Sequence, residues 1–194
     1  MKISYCTTCH NRLWQLKQTL EHNLAFTKEG EVELCILAYN DLEVEPYLKE
    51  NYPEYIVDGR LKVKSIQSRI PFSCGHVKNF SHDMGSGDIL FNLDADNFIC
   101  NAHEHLLKLK PYQVFKGKIR TMSGESGRIG IYRKLYKQIG GYDRNAGTND
   151  DGEFISRCLR AGARLVQDYC RIPPIPNEQP EDNIYKESNL DESK

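Results

Sequence analysis

Five consecutive apolar residues, Leu34-Cys35-Ile36-Leu37-Ala38, constrain the fold of this chain more than any other stretch. Side chains alternate across a strand, so an unbroken apolar run needs cover on both faces, as in a parallel sheet with helices on either side. The surrounding pattern agrees. Lys2–Cys6 is expected as a first strand, Glu31–Tyr39 as a second, Leu61–Ile66 as a third and the run from Asp88 (Ile89, Leu90, Phe91, Leu93) as a fourth. Between them, Asn11 can cap a helix carrying Leu13, Leu16, Leu20 and Leu24, with Trp14 beside them. Pro46–Glu50 suits a short helix, and Gly75–Met84 a helix stopped by Gly85-Ser86-Gly87. This order predicts an α/β domain with a doubly wound, mostly parallel mixed sheet flanked by helices.

The second half is less regular. Gln113–Ile119 and Arg128–Tyr132 read as strands around a Gly/Ser loop, Thr121–Gly127. Asp151–Ala161 reads as a helix with Phe154, Ile155, Cys158 and Leu159 on one face and Gly162 at its end; Arg164–Tyr169 follows as a strand. Prolines 173, 174, 176 and 180 then cluster, and residues 177–194 hold six acids and two lysines. Residues 1–170 are therefore expected as the domain, and 171–194 as a loose, acidic tail or a segment that docks on a partner.

Composition narrows the function. With 194 residues the chain can bury roughly two-thirds of its unfolded surface. Its net charge of −1 gives no general attraction to nucleic acid or anionic membrane. No run approaches the ~18 apolar residues of a membrane span. Met1-Lys2 leads straight into a strand-like segment, so no signal peptide is expected, and the seven cysteines are expected as reduced thiols in a cytoplasmic protein.

The fourth strand ends in Asp94-Ala95-Asp96. If the strand continued through them, both carboxylates would share a face at its carboxyl end, where open α/β sheets bind ligands. Two hard oxygen donors there suit a divalent cation that also holds phosphates; the same residues would also serve as a turn closing the strand. Other motifs carry less. Cys6-Thr7-Thr8-Cys9-His10 spells a haem-attachment pattern that belongs to exported chains, and no second Cys-x-x-Cys follows to complete a zinc site. His103 and His105 are expected on different helix faces in solvent, and Gly85-Ser86-Gly87 lacks the lysine of a phosphate loop.

Four further segments, with Asp94 and Asp96, resemble the GT-A-fold glycosyltransferases, nearest to the family 2 type, over about residues 2–169. Thr8-Cys9-His10-Asn11-Arg12 resembles the loop that holds the nucleotide base, with His10 in the place of an aromatic ring. Ala38-Tyr39-Asn40-Asp41 stands where acids meet base or ribose, which implies that role for Asn40 or Asp41. Gly75-His76-Val77-Lys78-Asn79 resembles a Gly-x-x-Arg-Asn segment and implies that Lys78 contacts base, ribose or phosphate. Gly140-Gly141-Tyr142-Asp143 with Asn149-Asp150-Asp151-Gly152-Glu153 resembles a Gly-Gly-Phe-Asp and Glu-Asp pair.

The resemblance implies transfer of a sugar from a nucleotide-diphosphate donor, a UDP-sugar foremost, to an acceptor hydroxyl, with inversion foremost and retention left open, since the fold hosts both outcomes. Asp151 is the implied general base with Asp150 beside it, Asp96 the direct ligand of Mn2+ or Mg2+, and Asp94 a water-mediated ligand or a partner of ribose and sugar. Gly141 falls among the implied donor-site residues, and Thr121–Gly130 would line or close over the donor sugar. The acceptor stays open among a glycan, a lipid carrier, a protein and a modified nucleic-acid base. So short a chain leaves space for a partner, a second copy included, to complete the acceptor site. A non-catalytic nucleotide- or protein-binding module on the same fold is the main alternative. A nucleotidyltransferase is another, although such enzymes place a Gly-rich basic loop after the first strand, where this chain has none.

Overall fold

The computed structural model describes residues 1–28, 31–118 and 127–177. Seven strands form one sheet: β1 (Ile3–Cys9), β2 (Val32–Tyr39), β3 (Leu61–Ile66), β4 (Ile89–Leu93), β5 (Gln113–Lys118), β6 (Arg128–Tyr132) and β7 (Arg164–Tyr169). Their order is β3-β2-β1-β4-β6-β5-β7. β1 to β4 run parallel, β6 alone runs antiparallel to its neighbours β4 and β5, and β7 returns parallel to β5. The sheet is therefore mixed and mostly parallel, as the apolar runs predict.

Both faces are covered. β2 is buried at all eight positions because its two sets of side chains enter different cores. On one face, Ile3, Tyr5, Leu34, Ile36 and Phe91 pack under α1 (Leu13–Ala25), α2 (Val44–Asn51), α3 (Pro53–Val57) and α5 (Ala102–Leu106). On the other, Cys6, Cys35, Leu90 and Ile131 meet α6 (Arg133–Ile139) and α7 (Asp150–Arg160), while Leu37 and Tyr39 meet α4 (Cys74–Asp83). Cys6 and Cys9 fall on opposite faces, so the Cys-x-x-Cys spacing joins nothing.

Several expectations are revised. The first strand runs three residues further than expected, to Cys9, carrying Thr8 to the sheet's carboxyl edge. Asn11 does not cap α1: its φ is +54° and Arg12 takes the cap position. β4 stops at Leu93, and Asp94 to Asn97 form a turn closed by the Asn97 N–H on the Asp94 carbonyl at 2.9 Å, so strand alternation does not orient the two carboxylates. His103 is buried against the Tyr5 hydroxyl at 2.7 Å, and His105 pairs with Asp168 at 2.7 Å; neither is simply solvated. Helices α3 and α6 were not expected. α6 ends at Gly140, whose φ of +80° is the left-handed cap that glycine supplies.

Residues 171–177 do not hang loose. The Ile175 N–H donates to the Asp96 carbonyl at 2.8 Å, Arg128 donates to the Ile172 carbonyl at 3.0 Å, and Gln15 donates to Asn177 Oδ1 at 2.9 Å. This segment is a strap across the sheet's carboxyl edge. Residues 178–194, the acidic part of the expected tail, lie outside the described residues.

Candidate active site

The carboxyl ends of β1 and β4, the first turns of α4 and α7 and the strap enclose a cleft of about 330 Å³. Thr8, His10, Arg12, Lys78, Asp94, Asp150 and Asp151 all line it. The sheet thus brings together residues separated by up to 143 positions in the chain, at the edge where parallel α/β sheets bind ligands.

Lys78 sits at its centre. Its ammonium donates to Asp150 Oδ2 at 2.6 Å and Asp151 Oδ1 at 2.7 Å, and the three residues are 4%, 4% and 6% exposed. Burial works against the lysine's charge, but the carboxylates, Asp151 first and then Asp94, outweigh it and hold its pKa well above the usual value. Gly75, one turn earlier on α4, fixes this arrangement. A Cβ there would strike the Asp143 carbonyl, so only glycine lets α4 approach the loop before α7 so closely.

Asp94 faces the same core. Asn92, on the last turn of β4's pleat, donates to Asp94 Oδ1 at 3.0 Å and to the Gly127 carbonyl at 2.9 Å. Burial pushes the Asp94 carboxyl up to about 7; Lys78 opposes the rise, and Asp151 and Asp96 add to it. Gly127, with φ +60°, sits so close that a Cβ would collide with the Asp94 carboxylate. Burial likewise raises the carboxyls of Asp96, against Arg12, and of Asp150, against Lys78.

Asp96 points toward Arg12, whose Nη1 lies 3.9 Å from its Oδ2. Its Oδ1 is buried and has no hydrogen-bond partner among the described residues. A buried acceptor with nothing to accept from is costly, and a cation would relieve that cost. Four carboxylates here face three cations, Lys78, Arg12 and the buried Arg128, whose charge acts on Asp96, an excess of one negative charge when all are ionised. Both observations fit a divalent metal held by Asp96 and Asp94. Among the described residues no cluster of three or more metal-ligating side chains exists. Such an ion would therefore complete its shell with substrate oxygens and water, as Mg2+ commonly does.

At the other end of the cleft, His10 Nδ1 lies 2.8 Å from the Tyr39 carbonyl, which can only accept, so this nitrogen carries the proton. The His10 ring stacks on Phe72 with centroids 5.1 Å apart and planes 12° apart. Phe72 lines the cleft, yet in sequence it was only an aromatic residue between Pro71 and Ser73.

Three expected donor-site residues lie elsewhere. Asn11, Asn40 and Asp41 frame a separate hollow beside Trp14 and Leu42. The Asp41 carboxylate and Asn40 Oδ1 are engaged locally. The Asn11 N–H donates to Asp41 Oδ2 at 3.0 Å, Asp41 Oδ1 receives the N–H groups of Glu43 and Val44 at the start of α2, and Asn40 Oδ1 receives the Ser68 N–H at 2.7 Å. Gly141 is also outside the cleft; with φ +73° it packs where a Cβ would strike Asn79 and Tyr136. Of Thr121–Gly130, residues 121–126 lie outside the described residues. Gly127, within that stretch, lines the cleft. Besides Phe72, sequence reading missed Asn92 and Asn177. The one signal for Asn92 was an amide inside an apolar strand.

The chain has a GT-A fold, the fold expected from its motifs. No family profile matches its sequence, and no curated protein does. Solved structures do. A mannosyltransferase from Pyrobaculum calidifontis, in complex with GDP-Man and Mn2+, superposes with a TM-score of 0.73 at 13% identity, over 91% of this chain and 58% of that one. Residues 1–349 of S. aureus TarS in complex with UDP give 0.66 at 14% identity, over 90% and 59%. Glucosyl-3-phosphoglycerate synthase from M. tuberculosis gives 0.66 at 16% identity, over 94% and 75%. The chain spans less than two-thirds of the length of the first two. Among the described residues no helix is long and apolar enough to cross a membrane.

Proposed function

We propose that this protein is a metal-dependent glycosyltransferase that moves a sugar from a nucleotide-diphosphate donor, a UDP-sugar foremost, to an acceptor hydroxyl. One observation carries the reading: four carboxylates outnumber the three cations they meet, Lys78, Arg12 and Arg128, at the carboxyl edge of a GT-A sheet, and one of the carboxylates, Asp96, holds an unpartnered buried oxygen. Solved proteins of this fold bind GDP-Man with Mn2+ and bind UDP.

Asp96 and Asp94 would hold Mn2+ or Mg2+, which when bound neutralises charge on the leaving diphosphate as a Lewis acid. Thr8, His10, Phe72 and Arg12 lie where the nucleotide enters, with the stacked pair offering aromatic surface to the base and Arg12 a cation to the phosphates. Asp151 takes the acceptor's proton as the hydroxyl attacks. Lys78 occupies its Oδ1, which leaves Oδ2 for that proton. General-base assistance of this kind contributes about 10²–10⁴-fold. One displacement from the face opposite the diphosphate inverts the anomeric centre.

Incubating the purified chain with UDP- and GDP-sugars and Mn2+ tests the proposal, with release of nucleoside diphosphate as the readout. Release that requires Mn2+, and that disappears in Asp96→Ala, is expected. If none of these donors is consumed or bound in the presence of Mn2+, the reading fails.

A further inference from the structure

Helix α1 buries three polar side chains among its leucines: Gln15, Thr19 and Asn23, which are 0%, 0% and 3% exposed. Four-residue spacing puts them in one row along the helix. A buried polar group is costly unless it is hydrogen-bonded, so such a row implies partners off the helix. All three find them in main chain that belongs to no helix or strand. The Thr19 hydroxyl donates to the Ala95 carbonyl at 2.8 Å; its other acceptor, the Leu16 carbonyl within the helix, is farther off at 3.3 Å. The Asn23 amide donates to the Asn97 carbonyl at 2.9 Å, and its oxygen accepts the Ile99 N–H at 2.9 Å. Gln15 holds the strap, and the strap's Ile175 N–H holds the Asp96 carbonyl.

The bonds form an unbroken series along the turn that carries Asp96. The carbonyls of Asp94, Ala95, Asp96, Asn97 and Phe98 accept, in that order, from the Asn97 N–H, Thr19, the Ile175 N–H, Asn23 and Arg128. No sheet ladder reaches these residues, because β4 ends at Leu93. Chain outside regular structure keeps one conformation only where contacts offset the entropy of ordering it. The Asp96 carboxylate does little to fix itself. Arg12 lies 3.9 Å from its Oδ2, and its Oδ1 has no hydrogen-bond partner among the described residues. The backbone on either side of Asp96 therefore sets where that carboxylate points, and α1 holds both sides, at Ala95 and at Asn97.

We propose that Thr19 and Asn23 are positioning residues for the divalent cation: by pinning the carbonyls that flank Asp96, they preset the aim of its carboxylate. Neither residue lines the cleft, so each acts through the backbone alone. The inference rests on the reading of the cleft as a metal-dependent nucleotide site. Groups that orient a metal ligand matter nearly as much as the ligand, because a carboxylate aimed in advance spends no ordering entropy when the ion arrives.

The test is calorimetry of UDP and GDP binding to the full chain, with and without Mn2+, beside urea unfolding of each variant. Thr19→Val keeps the branched shape and removes the hydroxyl, whereas Thr19→Ser keeps the hydroxyl. Asn23→Asp keeps the acceptor for the Ile99 N–H and sets an oxygen against the Asn97 carbonyl. Thr27→Val is the matched control: it removes a hydroxyl that is 3% exposed and donates to the Leu24 carbonyl at 2.7 Å, away from the turn. Thr19→Val and Asn23→Asp are expected to weaken Mn2+-dependent nucleotide binding about 10–100-fold and to leave Mn2+-free binding unchanged. Thr19→Ser should restore the native affinity and Thr27→Val should retain it, while the two valine variants lower the urea midpoint alike. Native Mn2+-dependent affinity in Thr19→Val or in Asn23→Asp, or an equal loss in Thr27→Val, overturns the proposal and leaves the metal reading standing. A native chain that binds neither nucleotide more tightly with Mn2+ overturns the metal reading, and this inference with it.

Discussion

The ammonium of Lys78 lies 2.7 Å from Asp151 Oδ1, and both side chains are more than nine-tenths buried. The sequence motif pointed this lysine at a donor. In the folded chain it is the counter-ion of the residue assigned as base, and of Asp150 as well. Removing one partner of a buried pair strands the others, at a cost of about 3–5 kcal/mol. Lys78→Met should lose about that much in urea unfolding, and Lys78→Arg clearly less. A loss below about 1 kcal/mol for Lys78→Met would show that the lysine does not hold these carboxylates.

Asp151→Asn keeps shape and hydrogen bonding but cannot take a proton. Transfer should fall about 10²–10⁴-fold while calorimetry shows unchanged nucleotide affinity. Full turnover in this variant would remove Asp151 from the chemistry.

Asp96→Ala should abolish the Mn2+-dependent part of UDP binding in calorimetry and leave the metal-independent part. Equal affinities with and without Mn2+ in the native chain would contradict a metal at this turn.

Gly127 and Gly59 make a matched comparison. Both have positive φ, so alanine at either costs about 1 kcal/mol of backbone strain. At Gly59 nothing lies within 4 Å, whereas at Gly127 the new methyl meets the Asp94 carboxylate. Gly127→Ala should weaken Mn2+-dependent nucleotide binding more than tenfold, and Gly59→Ala not at all. Indistinguishable affinities would mean that Asp94 is not needed where it sits.

Glu33 predicts an acid limb of stability far from the cleft. It is fully buried, and although burial raises its carboxyl, hydrogen bonds from Lys2, Ser86, Ser4 and Lys62 bring it down to about 2. Its folded pKa lies below its unfolded value, so its contribution is present above about pH 4.5 and is lost as pH falls toward 2, a change of about 2–3 kcal/mol. Glu33→Gln should flatten the urea midpoint across that window. An unchanged slope would mean that the ionised form is not what the network holds.

Strands were the readable part of this chain because burial on both faces forces long apolar runs, and β2 is the clearest case. Helix α6 was not readable: Arg133, Lys134 and Lys137 hide a short apolar stripe of Leu135 and Tyr136. The Asp-x-Asp pair, Asp94 and Asp96, was legible as a motif, but the strand geometry used to orient it ends one residue earlier, at Leu93. Asn40 and Asp41 were misplaced because acids and amides after a strand serve local N–H groups as readily as a ligand. The Lys78 partners lie 72 and 73 residues away, a distance no spacing rule spans.

The strap was invisible for another reason. Apart from Asn177 and the exposed pair of Arg171 with Glu104, the clasp uses its main chain: the carbonyls of Ile172, Ile175 and Pro176 and the N–H of Ile175. Every amino acid offers that carbonyl, so mutational pressure at this edge falls on the gripping residues, Gln15 and Arg128, and not on the letters being gripped. Ile172 and Pro176 can be exchanged widely while the bonds to their carbonyls survive, whereas a change at Arg128 or Gln15 removes those bonds.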